Sequence, residues 1–319
     1  MTSLSHKTRV LVSKLGAHAP PTQQRQALGT LAQLCHDGDA DSLGAIAGAG
    51  AVPPLVRLLG PGSSPEVQQN AAAALQNLAR NAAAAVTIAG AGAIPPLKQL
   101  LGPGSTPEVQ HAAAGALMTL ALDNADNQVE IAAAGVIPLM VQLLGPGSPA
   151  DVQRVAAGAL SNLTFKAEHA AAIATAGAIP PLVQLLGPGS SADRQEVAAA
   201  ALWGLAYNSD NAVAIAAAGA NPHLIHLLGP HSPAEVQQNA AGVLWKLAAY
   251  ADNAVAITAA GAIPALVQLL GAGSPAGVQK SAAAALRSLR DRSAHNRAAI
   301  AAATANADAL QEMKRLGLA

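Results

Sequence analysis

Three histidines that lie close together are the first candidates for chemistry in this sequence. His223 and His226 are three residues apart, and His231 follows five residues later. Two histidines at this spacing on a helix can both reach one metal ion. No Asp, Glu or Cys lies between His223 and His231 to complete a ligand set. Surface histidines are therefore the favoured interpretation, and we expect no metal and no cofactor.

A second candidate is Cys35, the single cysteine of the chain. One cysteine excludes an intrachain disulfide and favours a reducing compartment, so an intracellular location, cytoplasmic or nuclear, is expected. Segments such as Gly102-Pro103-Gly104-Ser105 resemble phosphate loops only superficially, because they lack the lysine of a P-loop. No Ser/His/acid, Cys/His or paired-carboxylate set converges, and we expect no enzyme.

The elements that position these residues recur along the chain. Six copies of a phrase like Gly-Ala-Ile-Pro place their first prolines at 53, 95, 138, 180, 222 and 264, so the steps are 42 or 43 residues. A unit of this length cannot bury its own apolar face, whereas stacked units share one core. The period therefore predicts a solenoid.

One unit illustrates the three helices that each step predicts. Asp210 is expected to cap a short helix that ends at Gly219. Pro222 suits the first turn of a second helix, and the capping box Ser232/Glu235 opens a long third helix. The box recurs as Ser63/Glu66, Ser105/Glu108, Ser148/Asp151 and Ser190/Asp193.

A unit of about 42 residues, with Gly-Ala-Ile-Pro-x-Leu-Val-x-Leu-Leu joining its first two helices, resembles the armadillo family. The resemblance covers almost the whole chain. It implies an all-α, right-handed α-solenoid (superhelix) of about seven three-helix repeats over residues 1–319. Residues 1–49 would form a degenerate N-terminal repeat, 50–303 six regular repeats and 304–319 a C-terminal capping helix. Two-helix HEAT repeats are the nearest alternative, but they need no short helix at Asp126, Asp210 and Asp252.

Helical geometry predicts where a partner would bind. In the fifth long helix, Ala198, Leu202 and Leu205 share one side, which must face the core, and Trp203 and Tyr207 lie on the opposite side. Shifting this outer stripe by 42 or 43 residues extends it to every repeat. The predicted groove comprises Asn77, Met118, Thr119, Ser161, Asn162, Phe165, Trp203, Tyr207, Trp245, Lys246, Lys280 and Arg287.

Aromatic residues are concentrated on this stripe. Of the five in the chain, Phe165, Trp203, Tyr207 and Trp245 lie on it. Large exposed aromatic side chains are common interface anchors. The alternative is that the two tryptophans fold down between neighbouring long helices and serve as inter-repeat packing.

The family resemblance also implies a binding mode, in which third helices line a concave surface that grips extended peptides. Peptide-binding members carry Asn near the end of each third helix and often Trp one turn earlier. Here Asn77 and Asn162 match the Asn position, while the Trp position is Gly or Ala throughout. This departure indicates a wider groove that pairs less with a peptide backbone than an import receptor does.

The charge balance limits the class of partner. With 18 basic and 18 acidic residues the net charge is zero, and no apolar run reaches membrane-spanning length, so we expect neither nucleic-acid binding nor membrane insertion. The stripe itself is modestly basic, which favours an acidic or mixed acidic-apolar partner segment. We expect a monomer.

These observations predict a protein-protein interaction scaffold that binds an extended or helical partner segment in the concave groove of the third helices. The alternative is a passive structural or consensus-designed repeat array without a specific ligand, because the repeats are so regular. Variation confined to the groove stripe favours the scaffold.

Overall fold

The computed structural model describes residues 4–16, 19–292, 294–303 and 315. This part of the chain contains 21 α-helices and no strand. The all-α fold expected from the sequence is thus confirmed. Apart from Arg315, the expected capping helix over 304–319 lies outside the described residues.

The helices recur in a fixed order over most of the chain. In chain order they are α1 Leu4–Ser13, α2 Pro21–Asp37, α3 Ala40–Gly48, α4 Val52–Leu58, α5 Pro65–Leu78, α6 Ala82–Gly90, α7 Ile94–Leu100, α8 Pro107–Ala121, α9 Ala125–Ala133, α10 Ile137–Leu143, α11 Ala150–Leu163, α12 Ala167–Thr175, α13 Ile179–Leu185, α14 Ala192–Leu205, α15 Ser209–Ala217, α16 Ala220–Leu227, α17 Ala234–Leu247, α18 Ala251–Ala259, α19 Ala262–Gln268, α20 Ala276–Arg290 and α21 Ala294–Ala303. From α4 to α20 the order is a second helix of 7 or 8 residues, a third helix of 14 or 15, and the first helix of the next repeat with 9. The first helix is therefore slightly longer than the second.

A glycine with positive φ separates the short first helix of a repeat from its second helix. These glycines have φ between 74° and 89°, a left-handed conformation that costs a residue with a Cβ about 1–2 kcal/mol. They are Gly50, Gly92, Gly135, Gly177, Gly219 and Gly261. The recurring Gly-Ala-Ile-Pro phrase is therefore a helix stop followed by a helix start, as the sequence indicates.

The start of the long third helix differs from the predicted capping box. In α5 the cap is Ser64, whose hydroxyl accepts a hydrogen bond from the Val67 N–H, and in α8 it is Thr106. The predicted caps Ser63 and Ser105 are wrong by one residue. The N–H of Ser63 instead donates to the Gly60 carbonyl, which closes the turn after the second helix.

The start of the short first helix also needs correction. Asn208 caps α15 with a side-chain oxygen that accepts from the N–H groups of Asp210 and Asn211, so the predicted cap Asp210 is wrong. Asp210 lies in the first turn, where the helix dipole favours a carboxylate. Asn211 is buried, and its amide donates to the carbonyl of Leu205 at the end of α14 (3.2 Å). Asn211 therefore links the first helix to the preceding third helix by a hydrogen bond.

The core consists of aliphatic side chains that recur at equivalent places in the third helices. The leucines at the place of the predicted core residue Leu202 are all buried, with exposed fractions of 0–1%. They are Leu75, Leu117, Leu160, Leu202, Leu244 and Leu286. Burial of such a side chain contributes about 1.5–3 kcal/mol, so the apolar spacing explains why the helices stack.

A glutamine near the start of each third helix holds the end of the second helix. In every case Nε2 donates to two consecutive carbonyl oxygens, at distances of 2.8–3.5 Å. The described residues contain seven such glutamines: Gln24, Gln68, Gln110, Gln153, Gln195, Gln237 and Gln279. Carbonyls at a helix end have no partner within the helix, so this glutamine clamp satisfies groups that burial would leave unpaired.

The chain forms two compact units, Met1–Leu163 and Thr164–Ala319. Each unit repeats the same three-helix order, with α1–α11 in the first and α12–α21 in the second. That 1–319 forms a single continuous solenoid stays a prediction. Among the described residues, none of the helices has the length and apolar character required to cross a membrane.

Candidate partner-binding surface

The predicted groove residues lie in the third helices or just after their ends, and we call the surface that they are expected to form the third-helix face. In the first unit this face is polar. Asn77, Met118, Thr119, Ser161 and Asn162 are all half-buried. None of them is aromatic, since the first unit has no aromatic residue.

The two asparagines of the predicted groove, Asn77 and Asn162, differ in their hydrogen bonding. Asn162 donates from Nδ2 to the carbonyl of Met118 (2.9 Å), which links α11 to α8. Asn77 forms no side-chain hydrogen bond within the described residues, so both its amide donor and its acceptor are available. The hydroxyl of Thr119 donates back to the Gly115 carbonyl of its own helix (3.0 Å). The amide of Asn77 is therefore not engaged by any other described residue, unlike that of Asn162.

In the second unit the third-helix face is aromatic. Phe165 and Tyr207 are 78% and 65% exposed, whereas Trp203 and Trp245 are half-buried. Both exposed rings follow the end of a long helix, α11 and α14 respectively. Exposed rings at these positions can offer large apolar contacts at small conformational cost.

Trp203 packs between two third helices. Its ring lies over the backbone of Gly242 in α17, so closely that a Cβ at Gly242 would be 2.6 Å from the ring carbons. The indole Nε1 is buried without a hydrogen-bond partner in the described part of the chain. In the first unit, Gln76 lies over Gly115 in the same way. A large side chain from one repeat thus fills the space over a small residue of the next, which accounts for the small residues at the Trp position.

Lys246 lies between two aromatic rings. Its Nζ is 3.6 Å from the centroid of the Tyr207 ring and 3.9 Å from that of Trp245. Both distances are well within the range of a cation–π interaction. Desolvation by burial lowers the pKa of the ammonium group. The ring faces offset part of that cost because their negative quadrupoles attract the cation.

Other charges surround this cluster. Lys280 and Arg287 are exposed on α20. Glu196 on α14 is half-buried, and its pKa is raised by desolvation, by Glu235 and by Asp193. This carboxylate is therefore in an unfavourable environment when it is ionised.

The residues considered for metal or thiol chemistry lie apart from this surface. His226 and His231 are exposed and His223 is half-buried at α16 and the turn after it. The described residues contain no group of three or more His, Cys, Asp or Glu that could hold a metal ion. Cys35 is fully buried in α2, and desolvation raises the pKa of its thiol to about 12. A thiol in this state is a packing group rather than a nucleophile.

Contacts between neighbouring third helices follow a spacing that sequence reasoning missed. Trp203 meets Gly242, and Lys246 meets Tyr207, across 39 residues in each case. This separation is about one helical turn shorter than the repeat of 42 or 43 residues. It is shorter because helical side chains point back toward the start of their helix. A search for bulky and small residues 39 apart would have revealed these pairs.

The family model described as Armadillo/beta-catenin-like repeat matches residues 41–80, 124–165, 166–207, 208–249 and 251–291. These segments make up more than half of the chain, which therefore belongs to the armadillo repeat family. Residues between 81 and 123 show the same order of helices, α6 to α8.

Solved structures of designed proteins are similar to the chain. An engineered protein is 32% identical with a TM-score of 0.84, over 97% of this chain and 77% of that one. A designed armadillo repeat protein is 31% identical with a TM-score of 0.69, over 75% and 99% of the two chains. Another, in complex with the peptide (KR)4, is 30% identical with a TM-score of 0.66, again over 75% and 99%. No curated protein matches the chain.

Proposed function

We propose that the protein is an interaction scaffold that binds an extended or helical partner segment along the third-helix face. The observation that carries this proposal is the exposure of Phe165 and Tyr207, at 78% and 65%, on the predicted groove of a chain with only five aromatic residues. Exposed rings of this kind lose water when a partner covers them, which favours binding. A designed relative in complex with a peptide supports the same class of function.

The partner that fits best is an acidic or mixed acidic-apolar segment. Lys280 and Arg287 are exposed on the face, and Lys246 is held between rings. The zero net charge argues against nucleic acid as the partner. We propose that the protein is a monomer. The single cysteine favours a reducing compartment, so we also propose an intracellular location. A role in binding rather than catalysis agrees with the family.

A second candidate is a passive or consensus-designed array without a specific partner. The engineered and designed origin of the similar structures favours it, together with the constant repeat length. This candidate requires that the third-helix face bind no segment selectively.

A peptide array on the whole chain separates the two candidates. The scaffold predicts a selected set of peptides, and Phe165→Ala and Tyr207→Ala should each weaken their binding about 30-fold, the effect of losing about 2 kcal/mol. Val255→Ala is the matched control, because Val255 is 66% exposed but lies on the first helix α18. An array without selected peptides supports the passive candidate. Selected peptides that are indifferent to both ring truncations would show that the proposed surface is wrong.

A further inference from the structure

Tyr207 and Trp245 provide two ring faces to a single cation. Tyr207 follows the end of α14, while Trp245 and Lys246 lie in the last turn of α17. Nζ of Lys246 is within 4 Å of both ring centroids. The negative end of the α17 dipole adds to the attraction for a cation at this place. The two rings therefore form a cation site, and the chain supplies the cation that fills it.

The charge of Lys246 has no acidic partner among the described residues. The ion pairs His111–Asp151 and Arg290–Asp291 do not involve it. Ring faces satisfy a cation only in part, because they accept no strong hydrogen bond. An ammonium group has three N–H donors, and those not directed at a ring have no acceptor among the described residues.

We infer that Tyr207 and Trp245 form a cation site that Lys246 occupies from within, and that the occupied site selects a partner segment bearing a carboxylate and rejects a lysine- or arginine-rich one. This inference rests on the proposed function and names the chemistry of its partner. The carboxylate accepts from the N–H groups of Lys246 that the rings leave open. A charge-assisted hydrogen bond of this kind is roughly twice as strong as a neutral one.

The rejection of basic segments follows from the same geometry. A lysine or arginine of a partner would find both ring faces covered and would meet a like charge at contact distance. The relative in complex with (KR)4 shows that an armadillo scaffold can hold a basic peptide. The Lys246 side chain makes the opposite selection in this chain.

The test compares three variants of the full chain by tryptophan fluorescence. Lys246→Met removes the charge and keeps the stem, Lys246→Ala removes both, and Lys280→Met removes an exposed charge of the same face as a control. The peptide probes are acetyl-(Glu-Ala)4-amide, acetyl-(Gln-Ala)4-amide and (KR)4. Tetramethylammonium chloride probes the ring pair alone.

The unsubstituted chain should bind the glutamate peptide about tenfold more tightly than the glutamine peptide, the effect of about 1.4 kcal/mol. Lys246→Met should abolish this preference, and Lys280→Met should leave most of it. An unsubstituted chain that prefers (KR)4, or a preference lost equally in both methionine variants, would overturn the inference.

The small probe distinguishes failure of this inference from failure of the proposed function. Tetramethylammonium should bind Lys246→Ala at least tenfold more tightly than the unsubstituted chain, and Tyr207→Ala in that background should remove the gain. This result is expected even if an array yields no peptide. Equal binding to Lys246→Ala and the unsubstituted chain would show that the rings form no cation site.

Discussion

The two units share a framework and differ in the surface that it carries. In Met1–Leu163 the predicted groove residues carry amide, hydroxyl and thioether side chains, whereas Thr164–Ala319 contains all five aromatic residues. Buried leucines and the glutamine clamp recur in both units with the same geometry. The comparison shows that the residues which make a repeat fold are separate from those available to bind a partner. Surface chemistry can therefore change from one unit to the next without a change of core.

The largest expected effect tests whether the two cores are equivalent. Leu75→Ala in the first unit and Leu202→Ala in the second should each cost about 2–5 kcal/mol of unfolding free energy, since both side chains are fully buried at equivalent places. Urea unfolding followed by circular dichroism measures both losses. Leu122→Ala is the control, as Leu122 is 55% exposed and should change stability by less than about 0.5 kcal/mol. A loss confined to one unit would break the comparison.

A smaller effect tests the packing over the glycines. In Gly242→Ala the new methyl meets the rigid Trp203 ring, so a cost of about 1–3 kcal/mol is expected. In Gly115→Ala it meets the flexible end of Gln76, which can move aside. Removing a helical glycine gains up to about 1 kcal/mol, so this second change should be close to neutral. Thermal unfolding of both variants measures the difference.

A double substitution checks that the ring causes the cost. With Trp203→Ala already in place, Gly242→Ala should no longer destabilise the protein and should gain stability from helix propensity. If Gly242→Ala costs the same with and without the ring, Trp203 does not determine the contact.

The smallest effect concerns Glu196, a half-buried acidic residue of the second unit. Gln69 stands at the equivalent place in one repeat of the first unit, so Glu196→Gln makes these two repeats alike at that place. The pKa of Glu196 is raised above its ordinary value of 4.5 by desolvation and by two neighbouring acids. The protonated carboxyl of Glu196 is therefore favoured in the folded state. Its contribution to folding stability is fully present below about pH 4.5 and is lost as the pH rises through the raised pKa of the folded state.

Melting temperatures across pH test this linkage. Glu196→Gln should melt above the unsubstituted chain at pH 7, and the difference should vanish at pH 4. The exposed Glu130 of α9 provides the control, and Glu130→Gln should lack this pH-dependent gain. A gain that persists unchanged at pH 4 would exclude ionisation of Glu196 as its cause.

The sequence predicted the repeat and its core because both depend on spacing alone. Leucine periodicity located the buried face, and the Gly-Pro phrase located the stops, since only glycine takes the left-handed turn at Gly219 without strain. Helix starts were less predictable. Both Ser63 and Ser64 can serve as an N-cap by composition, and the turn that binds the Ser63 N–H decides between them.

The groove residues could be placed on a face, but their contacts could not be derived. A tryptophan on an outer stripe can extend into solvent or pack against the neighbouring helix. For Trp203 the packing depends on Gly242, which is 39 residues away in the sequence. The same holds for Lys246 and Tyr207, which periodicity places in adjacent repeats without showing that they meet. The glutamine clamp was missed because a polar residue near the start of a helix has many uses.

The glutamine clamp bears on how the chain folds as it is made. Each clamp joins groups only eight or nine residues apart, and a loop of about that length closes in about 10–100 ns. At a synthesis rate of about 5–20 residues per second, one repeat takes seconds to emerge. The second and third helices of a repeat can therefore dock long before the next repeat exists. During synthesis, each new repeat would then add to the repeats already folded as a docked pair of second and third helices.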